Sequence, residues 1–459
     1  MNKLTVPTHA AWAVVALTSG CATYSPAPIE PAQVLESLEA IEWPPIRTET
    51  ETRDTVGTRS EGAGPRELAA FAVSTNPRLA AVRSEVGVRS ALLVEAGLLP
   101  DPEIGWSAMD ILATQIVDGT SSSLDVWTGF GLMFPLLRPG ERDARVGAAE
   151  WRSEEARRLV TAAEWSLTSD IHVAYEEVLG AEILLAQTRA LTELAASTNE
   201  YFERARDAGA ATAIQANLAL GELQVIRLDG VRAEARVLQA RQDLNALLGL
   251  SPGADVALRG GADPATSEPL GDDLDSLTAH AVESRPDLAV LLARYQAAEE
   301  DVRLAISKQY PVLAVGTGIS FTLPFFSKFG RPAIKTAIAR REQLGREFTA
   351  AVHAARQQIA AAHTLWRLAE QEVELIEREL LPNAERNLEL SQEAFQAGEV
   401  TLLETLALQR ALVGARTQHT EARAERSKRA WMLLALSGWL LGEAPTNNTN
   451  NTNNKEDSE

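Results

Sequence analysis

Residues that could bind a metal ion or act as a nucleophile are few and scattered in this sequence. Its six histidines include neither a pair spaced four residues apart nor the His-Glu-x-x-His pattern of zinc enzymes. They are His9, His172, His280, His353, His363 and His419. The nucleophile elbow, the phosphate-binding P-loop and the dinucleotide fingerprint are absent, and only four methionines could serve soft metal ions. We therefore expect no enzymatic activity, no cofactor and no resident metal.

The one cysteine, Cys21, sits where a specific modification could occur. Lys3, a mostly apolar run over 10–17 and the small residues 18–20 precede it. This order is typical of a secretion signal whose apolar part is too short to span a membrane. We therefore predict that residues 1–20 are a signal peptide.

A signal that ends at a cysteine resembles the bacterial lipoprotein signal, in which the thiol is acylated and becomes the first residue. Thr18 stands where those signals prefer leucine. Ala22 follows Cys21, instead of the aspartate that favours retention in the inner membrane, so the acylated chain is expected in the outer membrane. An ordinary cleaved signal followed by an incidental cysteine is the alternative.

The formal net charge of −20 predicts a solvated surface and no nucleic-acid partner. No basic stripe stands out to neutralise phosphates. No run of about 18 apolar residues occurs, so we expect no transmembrane helix.

Two copies of one pattern organise the chain. Residues 76–79, Asn-Pro-Arg-Leu, open the first copy, and residues 285–288, Arg-Pro-Asp-Leu, open the second. From Pro135 onward a constant offset of 189 residues relates the copies, as Gly249 and Gly438 show. Such an offset indicates an internal duplication, whose two units bury a face against each other or against further copies of the chain.

Composition and periodicity divide the chain into six segments, and each repeat combines a helix, a β-hairpin and a long helical hairpin. The segments are a signal peptide over 1–20, a lipidated extended arm over 21–64, a first repeat over 65–250, a linker over 251–275, a second repeat over 276–440 and a disordered tail over 441–459.

The longest predicted element is a helix over 141–206. Its apolar positions step by three and four residues, as in a coiled coil, at Ile171, Ala174, Val178, Ala181 and Leu185. At about 1.5 Å per residue this helix is about 100 Å long. It breaks at 208–212, and the second repeat breaks at 397–401, so each repeat predicts a helical hairpin with a tight tip.

Strand-like segments over 103–112 and 124–136 alternate apolar with small or polar residues, which suits a strand between lipid and water or a half-buried soluble strand. The second copy is shorter here. Pro100 and Pro135 are 35 residues apart, whereas Pro311 and Pro324 are 13 apart, so 22 residues are missing. We expect residues 312–326 to form either a small hairpin turning at 316–318 or a single strand, and not two membrane-spanning strands of about 9 to 11 residues each.

The order of these motifs, duplicated, resembles that of the TolC-like outer-membrane efflux proteins. The matching motifs are the repeated openings, Ala-Gly-Leu-Leu-Pro-Asp-Pro at 96–102, the apolar-proline step into a long helix, and Phe-Gln-Ala-Gly-Glu-Val-Thr-Leu-Leu-Glu at 395–404. The resemblance covers roughly residues 66–440, and the Cys21 signal indicates the lipoprotein branch. It implies a mainly α fold with a small β part. Duplicated long-helix hairpins would form a periplasmic α-barrel, with short β-hairpins toward the outer membrane, the second of them abnormally short.

What this resemblance implies for assembly is a homotrimer in which each chain gives four strands to a shared twelve-stranded barrel and long helices to a tunnel. The hairpin tips would meet a periplasmic adaptor protein that serves an inner-membrane transporter. The residues implied at the tips are Ala208, Gly209, Thr212, Ala397, Gly398 and Thr401. Glu404 matches one of two acidic positions that narrow the tunnel, Ala407 replaces the other, and Gln215 stands in the first repeat.

The expected function is therefore that of the outer-membrane channel of a tripartite efflux pump in a Gram-negative bacterium. It would export small molecules or metal ions from the periplasm or cytoplasm, lie mostly in the periplasm, and contact outer-membrane lipid. The alternative is a non-channel helical lipoprotein, anchored to the outer membrane and carrying an incomplete barrel.

Overall fold

The computed structural model describes residues 24–43, 62–106, 130–260, 274–396 and 400–439. The described helices are α1 (Pro31–Glu39), α2 (Pro65–Thr75), α3 (Pro77–Gly97), α4 (Glu141–Asp207), α5 (Ala213–Leu248), α6 (Leu274–Ser284), α7 (Pro286–Ser307), α8 (Arg331–Leu375), α9 (Leu381–Gln396) and α10 (Leu402–Ser437). The described strands are β1 (Glu103–Trp106), β2 (Phe130–Leu136), β3 (Val312–Gly316) and β4 (Ile319–Thr322). The predicted fold class, mainly helical with a small sheet, is confirmed.

Helix α4 is a single unbroken rod of 67 residues, about 100 Å long. Gly140, at φ 72°, turns the chain into it. Acidic residues occupy its first turn and Arg204 and Arg206 its last, which complements the helix dipole at both ends. Its apolar seam is buried at Ile171 and Val178, so the coiled-coil spacing marks the packed face.

Helix α4 is the centre of the packing. It contacts α3, α5, α7 and α10, while α8 packs against α7 and α10. The largest apolar cluster lies where α2 meets α4 and α5, around Leu68, Tyr175 and Leu248. Elsewhere the helices meet mostly through small alanines, which explains how a chain with few aromatic residues can still pack long helices closely.

The junction between α2 and α3 is set by Asn76 and Pro77. Pro77 lacks a backbone N–H and cannot continue α2. The Asn76 carboxamide oxygen accepts hydrogen bonds from the N–H groups of Arg78 and Leu79, and its Nδ2 donates to the Leu247 carbonyl at 2.8 Å. The opening motif of the first repeat is thus a helix cap that is tied to the end of the same repeat.

The four described strands form one antiparallel sheet in the order β1-β2-β3-β4, so the two repeats contribute a hairpin each. Phe134 lies opposite Val315, which lies opposite Ile319, and Leu136 aligns in the same way with Leu313. Because directly paired residues share a face, these apolar side chains line one side of the sheet. The alternation expected for 124–136 therefore holds over Phe130–Leu136, and the rest of that segment and most of 103–112 lie outside the described residues.

The second hairpin is as short as its sequence predicts. Strands β3 and β4 have five and four residues and turn through Thr317 and Gly318, so the hairpin alternative holds and the single-strand alternative does not. The arm over 21–64 differs from the expectation of a wholly extended segment, because Pro31–Glu39 is helical. Among the helices of the described ranges, none combines the length and apolar character needed to cross a membrane.

The second repeat also contains a feature that its helical periodicity does not predict. Between α8 and α9 a π-helical turn spans Ile376–Leu380, where the Leu381 N–H bonds the Ile376 carbonyl. Pro382 follows at once. Because proline has no N–H for the carbonyl four residues earlier, the wider turn is the local accommodation. The corresponding stretch of α4 is regular α-helix.

Candidate functional site

The first hairpin tip, between α4 and α5, is closed by backbone geometry. Gly209 has φ 73°, a conformation that costs a residue with a Cβ roughly 1 kcal/mol, although the space around it is open. The Ala210 N–H bonds the Ala205 carbonyl at 2.7 Å, which satisfies an end carbonyl of α4. Thr212 then starts α5: its N–H donates to Gln215 Oε1 at 2.8 Å, and the Gln215 N–H donates back to its hydroxyl at 3.3 Å.

The second tip, between α9 and α10, repeats this cap. The Thr401 N–H donates to a Glu404 carboxylate oxygen at 2.7 Å, and the Thr401 hydroxyl donates to the same oxygen at 2.8 Å. The Glu404 N–H donates to the hydroxyl of Thr401 in return. Ala397 and Gly398, expected at this tip, lie outside the described residues.

Glu404 is therefore a capping residue in the structure, with its side chain exposed. The N–H and hydroxyl of Thr401 lower the pKa of the Glu404 carboxyl below its ordinary value, so it is ionised at neutral pH. Gln215, at the equivalent place in the first repeat, caps without a charge. Sequence reasoning found Glu404 through its expected position at a constriction and did not find this local duty, although the Thr-x-x-Glu spacing is the signal of a capping box.

Behind the tips the two hairpins are packed by different chemistry. In the first, Phe202 is buried against Ala216 and Ala219. The equivalent of the Phe202–Ala216 contact in the second is a buried hydrogen bond of 3.0 Å from the Ser391 hydroxyl to that of Thr405. A hydroxyl pair buries much less apolar surface than a phenylalanine, so these two positions contribute less hydrophobic stabilisation in the second hairpin than in the first.

A series of polar contacts links α10 to the first hairpin along the bundle. Arg410 pairs with Glu222 close to the tips, Arg236 with Glu421 at 3.3 Å, and Lys428 with Glu177 at 2.7 Å. Gln187 donates to the Thr420 hydroxyl at 2.8 Å between them. Both tips therefore lie at the same end of the bundle, about 100 Å from the sheet. Between α4, α5 and α10 lies a mostly apolar cavity of about 610 Å³.

A buried polar cluster at this interface, which sequence reasoning did not single out, contains His172, Glu176 and Trp431. The ring of His172 packs on that of Trp431, with centroids 4.1 Å apart, and its Nδ1–H donates to the Thr168 carbonyl at 2.7 Å. The indole N–H of Trp431 donates to Glu176 at 3.2 Å. Burial lowers the pKa of His172, while its bond to Thr168 acts in the opposite direction. One packing contact thus joins α4 to α10 through a neutral histidine.

In the described ranges no group of three or more His, Cys, Asp or Glu side chains is arranged to hold a metal ion. Cys21, the candidate for acylation, lies outside those ranges.

Comparisons with known proteins agree with this architecture. The cobalt-zinc-cadmium resistance protein CzcC of Cupriavidus metallidurans is 23% identical over 377 residues, which cover 78% of this chain and 87% of CzcC. Two solved channels share the fold. The outer-membrane channel OprN superposes with a TM-score of 0.68 at 18% identity, over 82% of this chain and 90% of OprN. The CmeC outer membrane channel of Campylobacter jejuni superposes with a TM-score of 0.66 at 14% identity, over 91% and 93%.

The sequence model of one family covers both repeats. It matches residues 70–250 and 277–438, which are most of the chain and contain both hairpins. Its two matched ranges fall on the two copies that the constant offset of 189 residues separates. The chain belongs to the outer membrane efflux protein family.

Proposed function

We propose that this protein is the outer-membrane channel of a tripartite efflux pump, and that its hairpin tips meet a periplasmic adaptor protein coupled to an inner-membrane transporter. The observation that supports this most directly is the family match over both repeats. The non-channel alternative has no comparable support, because the family is described by efflux and by the outer membrane.

The surface of the single chain supports a homotrimer. Helix α7 packs against both α4 and α8, whereas its counterpart in the first repeat, α3, packs chiefly against α4. Val88 and Leu92, one turn apart on α3, remain 53% and 44% exposed. The duplication implies that α8 of a neighbouring chain covers α3 as α4 covers α7, which closes a ring of repeats.

The residues proposed for function lie at the two ends of the molecule. Ala208, Gly209 and Thr212 form one adaptor-contact tip, and Ala397, Gly398 and Thr401 form the other. Glu404 contributes a carboxylate to the tunnel constriction, where three copies near one axis would attract cations. Cys21 is acylated and tethers the N-terminal arm to the outer membrane.

The exported substrate belongs to the broad class of small molecules or metal ions. The relative CzcC carries a name for resistance to cobalt, zinc and cadmium, which supports including divalent metal ions in that class.

Channel formation is tested by single-channel recording of the purified full chain in planar lipid bilayers. We expect discrete conductance steps that trivalent cations block from the periplasmic side. A protein that inserts but never conducts would contradict the channel and favour the non-channel lipoprotein. In cells, deletion of the gene should lower tolerance to either a set of antibiotics or a set of divalent metals, and complementation should restore it. Which set responds separates the two kinds of substrate.

A further inference from the structure

The sheet presents a continuous apolar face to its surroundings. Ile319 and Phe321 on β4 are 72% and 66% exposed, and Ile104 on β1 is 71% exposed. The strand register places Ile319 on the same face as Phe134, and Ile104 pairs with Leu132 on that face. Soluble proteins rarely expose a connected apolar surface of this kind, so it indicates contact with lipid or protein.

A loop of aromatic residues follows directly after β4. Phe325 and Phe326 are 62% and 105% exposed, and Phe329 is 44% exposed. The loop is ordered by its own backbone. The Phe329 N–H bonds the Pro324 carbonyl at 3.0 Å, and the ring of Phe329 packs edge-on against that of Phe325 with centroids 5.5 Å apart.

This loop stores backbone strain. Lys328 and Phe329 have φ values of 50° and 55°, and Gly330 has 70°. Left-handed conformations are unfavourable for residues with a Cβ and persist where a structure gains something from them. Here the left-handed residues turn the chain into α8 while the aromatic side chains remain exposed.

The local charge is opposite to that of the whole protein. No acidic residue occurs in the forty positions between Asp301 and Glu342 of a chain whose net charge is −20. Seven basic residues do occur there: Arg303, Lys308, Lys328, Arg331, Lys335, Arg340 and Arg341. Three of the six lysines of the sequence are among them. The sequence-based statement that no basic stripe stands out is therefore wrong for this segment.

Four of these basic side chains form no ion pair with a described residue. In the described part of the chain, the side chains of Lys308, Lys328, Arg331 and Lys335 have no ion-pair partner, whereas Arg341 pairs with Glu299 at 3.2 Å. Lys328, Arg331 and Lys335 are exposed. Gly330 lies against the end of α7, because a Cβ placed on it would be 3.9 Å from the carbonyl carbon of Lys308. Lys308 therefore lies beside the other three cations.

The first repeat shows that this charge is not required by the fold. At the start of α4 the first turn carries Glu141 and Asp143, whereas the first turn of α8 carries no acid. The guanidinium groups of Arg142 and Arg145 of α4 donate hydrogen bonds to the carbonyls of Gly97 and Ala96, at 3.2 and 2.7 Å respectively. The free cations are thus specific to the repeat whose hairpin is shortened.

We propose that residues 308–335, which we name the anchor segment, bind the surface of a membrane that contains negatively charged phospholipids. Phe325 and Phe326 insert among the acyl chains at the interface, and Lys328, Arg331 and Lys335 contact the phosphate headgroups. The inference rests on the proposed outer-membrane function, and it specifies which surface meets the lipid and which headgroups that surface prefers. The surface replaces contact that a full-length second hairpin would have made deeper in the bilayer.

Vesicle flotation of the purified full chain tests this. Vesicles of phosphatidylcholine alone are compared with vesicles containing one quarter phosphatidylglycerol. We expect the protein to prefer the anionic vesicles, and the preference to decline as salt is raised, because Lys and Arg near an anionic surface contribute about fivefold in binding each and are screened by salt.

Two variants separate the roles. Lys328→Gln/Arg331→Gln/Lys335→Gln should reduce the preference by about a hundredfold at low salt. Phe325→Ser/Phe326→Ser should weaken binding to both kinds of vesicle and leave their ratio unchanged. Arg189→Gln/Arg227→Gln/Arg232→Gln, which removes the same charge from exposed positions of α4 and α5, is the matched control and should behave as wild type.

Equal binding of the wild type to both kinds of vesicle would overturn the proposal. This comparison uses only the wild type, so it holds even where a variant fails to fold. An equal loss of preference in the control variant would also overturn it. The bilayer recordings test the proposed function independently of the anchor segment. A protein that conducts but shows no preference for anionic vesicles would support the channel and contradict the anchor segment. A protein that prefers anionic vesicles but does not conduct would support the anchor segment and contradict the channel.

Discussion

Glu404 and Gln215 cap equivalent helices and differ only in charge. Gln215 Oε1 accepts from the Thr212 N–H as the Glu404 carboxylate accepts from that of Thr401. The first repeat therefore demonstrates that glutamine preserves the cap. This makes Glu404→Gln the substitution that removes the carboxylate and nothing else.

We predict that Glu404→Gln reduces block of the channel by divalent or trivalent cations, while the thermal unfolding midpoint stays as in wild type. Glu404→Ala should reduce the block and also lower the midpoint, because it removes the cap. Conductance with titrated cation and a thermal melt measure the two effects. Unchanged block in both variants would leave Glu404 as a cap alone.

His172 gives the interface of α4 and α10 a dependence on pH. Its pKa is lower in the folded chain than in the unfolded chain, so the folded state disfavours the extra proton. The stability it contributes is complete above the unfolded pKa of about 6.5 and is lost as the pH falls below that value toward the folded pKa. We expect the unfolding midpoint to fall between pH 7 and pH 5.

His172→Gln should flatten that slope, and His353→Gln, at an exposed position of α8, should leave it unchanged. The measured quantity is the change of the unfolding midpoint with pH. The absolute midpoint is not compared, because any substitution at a buried site alters packing. Identical slopes in His172→Gln and wild type would assign the pH dependence to other groups.

For Cys21 we predict that labelling cells with a palmitate analogue marks the wild type and not Cys21→Ala. The reason is that a thiol at the end of a secretion signal is the substrate of lipoprotein acylation. Mass spectrometry of the mature N-terminus is the second readout. Equal labelling of both proteins would restore the alternative of an incidental cysteine.

At the scale of elements, the two hairpins differ in continuity. Helix α4 runs unbroken, whereas α8 and α9 are separated by the π turn at Ile376–Leu380 before Pro382. Val373 and Ile376 pack on Ala422 of α10 at this point, and His419 Nε2 lies 2.8 Å from a Glu377 carboxylate oxygen. The interruption is thus held against α10, and beyond it Glu385 of α9 pairs with Arg416 of α10 at 3.3 Å.

We predict that Pro382→Ala converts the π turn to regular helix and raises the free energy of unfolding by about 1 to 3 kcal/mol, because alanine restores the missing N–H donor. Amide hydrogen exchange over residues 376–386 should slow in the variant. Glu193→Ala, at the equivalent place in α4, is the control and should change neither. Faster exchange in Pro382→Ala would show that the π turn has another cause.

The sequence predicts those elements whose cause is local. Gly209 and Thr212 define a tip because a left-handed glycine and a threonine cap need only their neighbours. The π turn cannot be predicted from Pro382 alone, because a proline can end, bend or widen a helix and the packing against α10 decides which. The register of Leu136 on Leu313, like the pairing of Arg410 with Glu222, joins residues nearly two hundred positions apart, and no local pattern encodes it.

At the scale of the whole molecule, we predict that Val88→Glu/Leu92→Glu dissociates the proposed trimer by placing charge on the face of α3 that we propose a second copy covers. The dissociation constant should rise at least a hundredfold, since two apolar contacts are lost and two carboxylates lose water. Mass measurement in detergent provides the readout. Val88→Leu/Leu92→Met keeps the face apolar and should remain trimeric, and a monomeric wild type would contradict the tunnel.

The unbroken length of α4 makes the first hairpin a lever. In a rigid rod of about 100 Å, one degree of tilt at the sheet displaces the far tip by nearly 2 Å. A tilt at the strand end is therefore magnified at the far tip, which is the end proposed to meet the adaptor protein, and a push at the tip is transmitted to the strands. The second hairpin is interrupted near Pro382, about three quarters of the way from Arg331 to Gln396, so its end is not rigidly continuous with its base. The two repeats of one duplicated chain thus act as a stiff arm and a jointed arm held side by side.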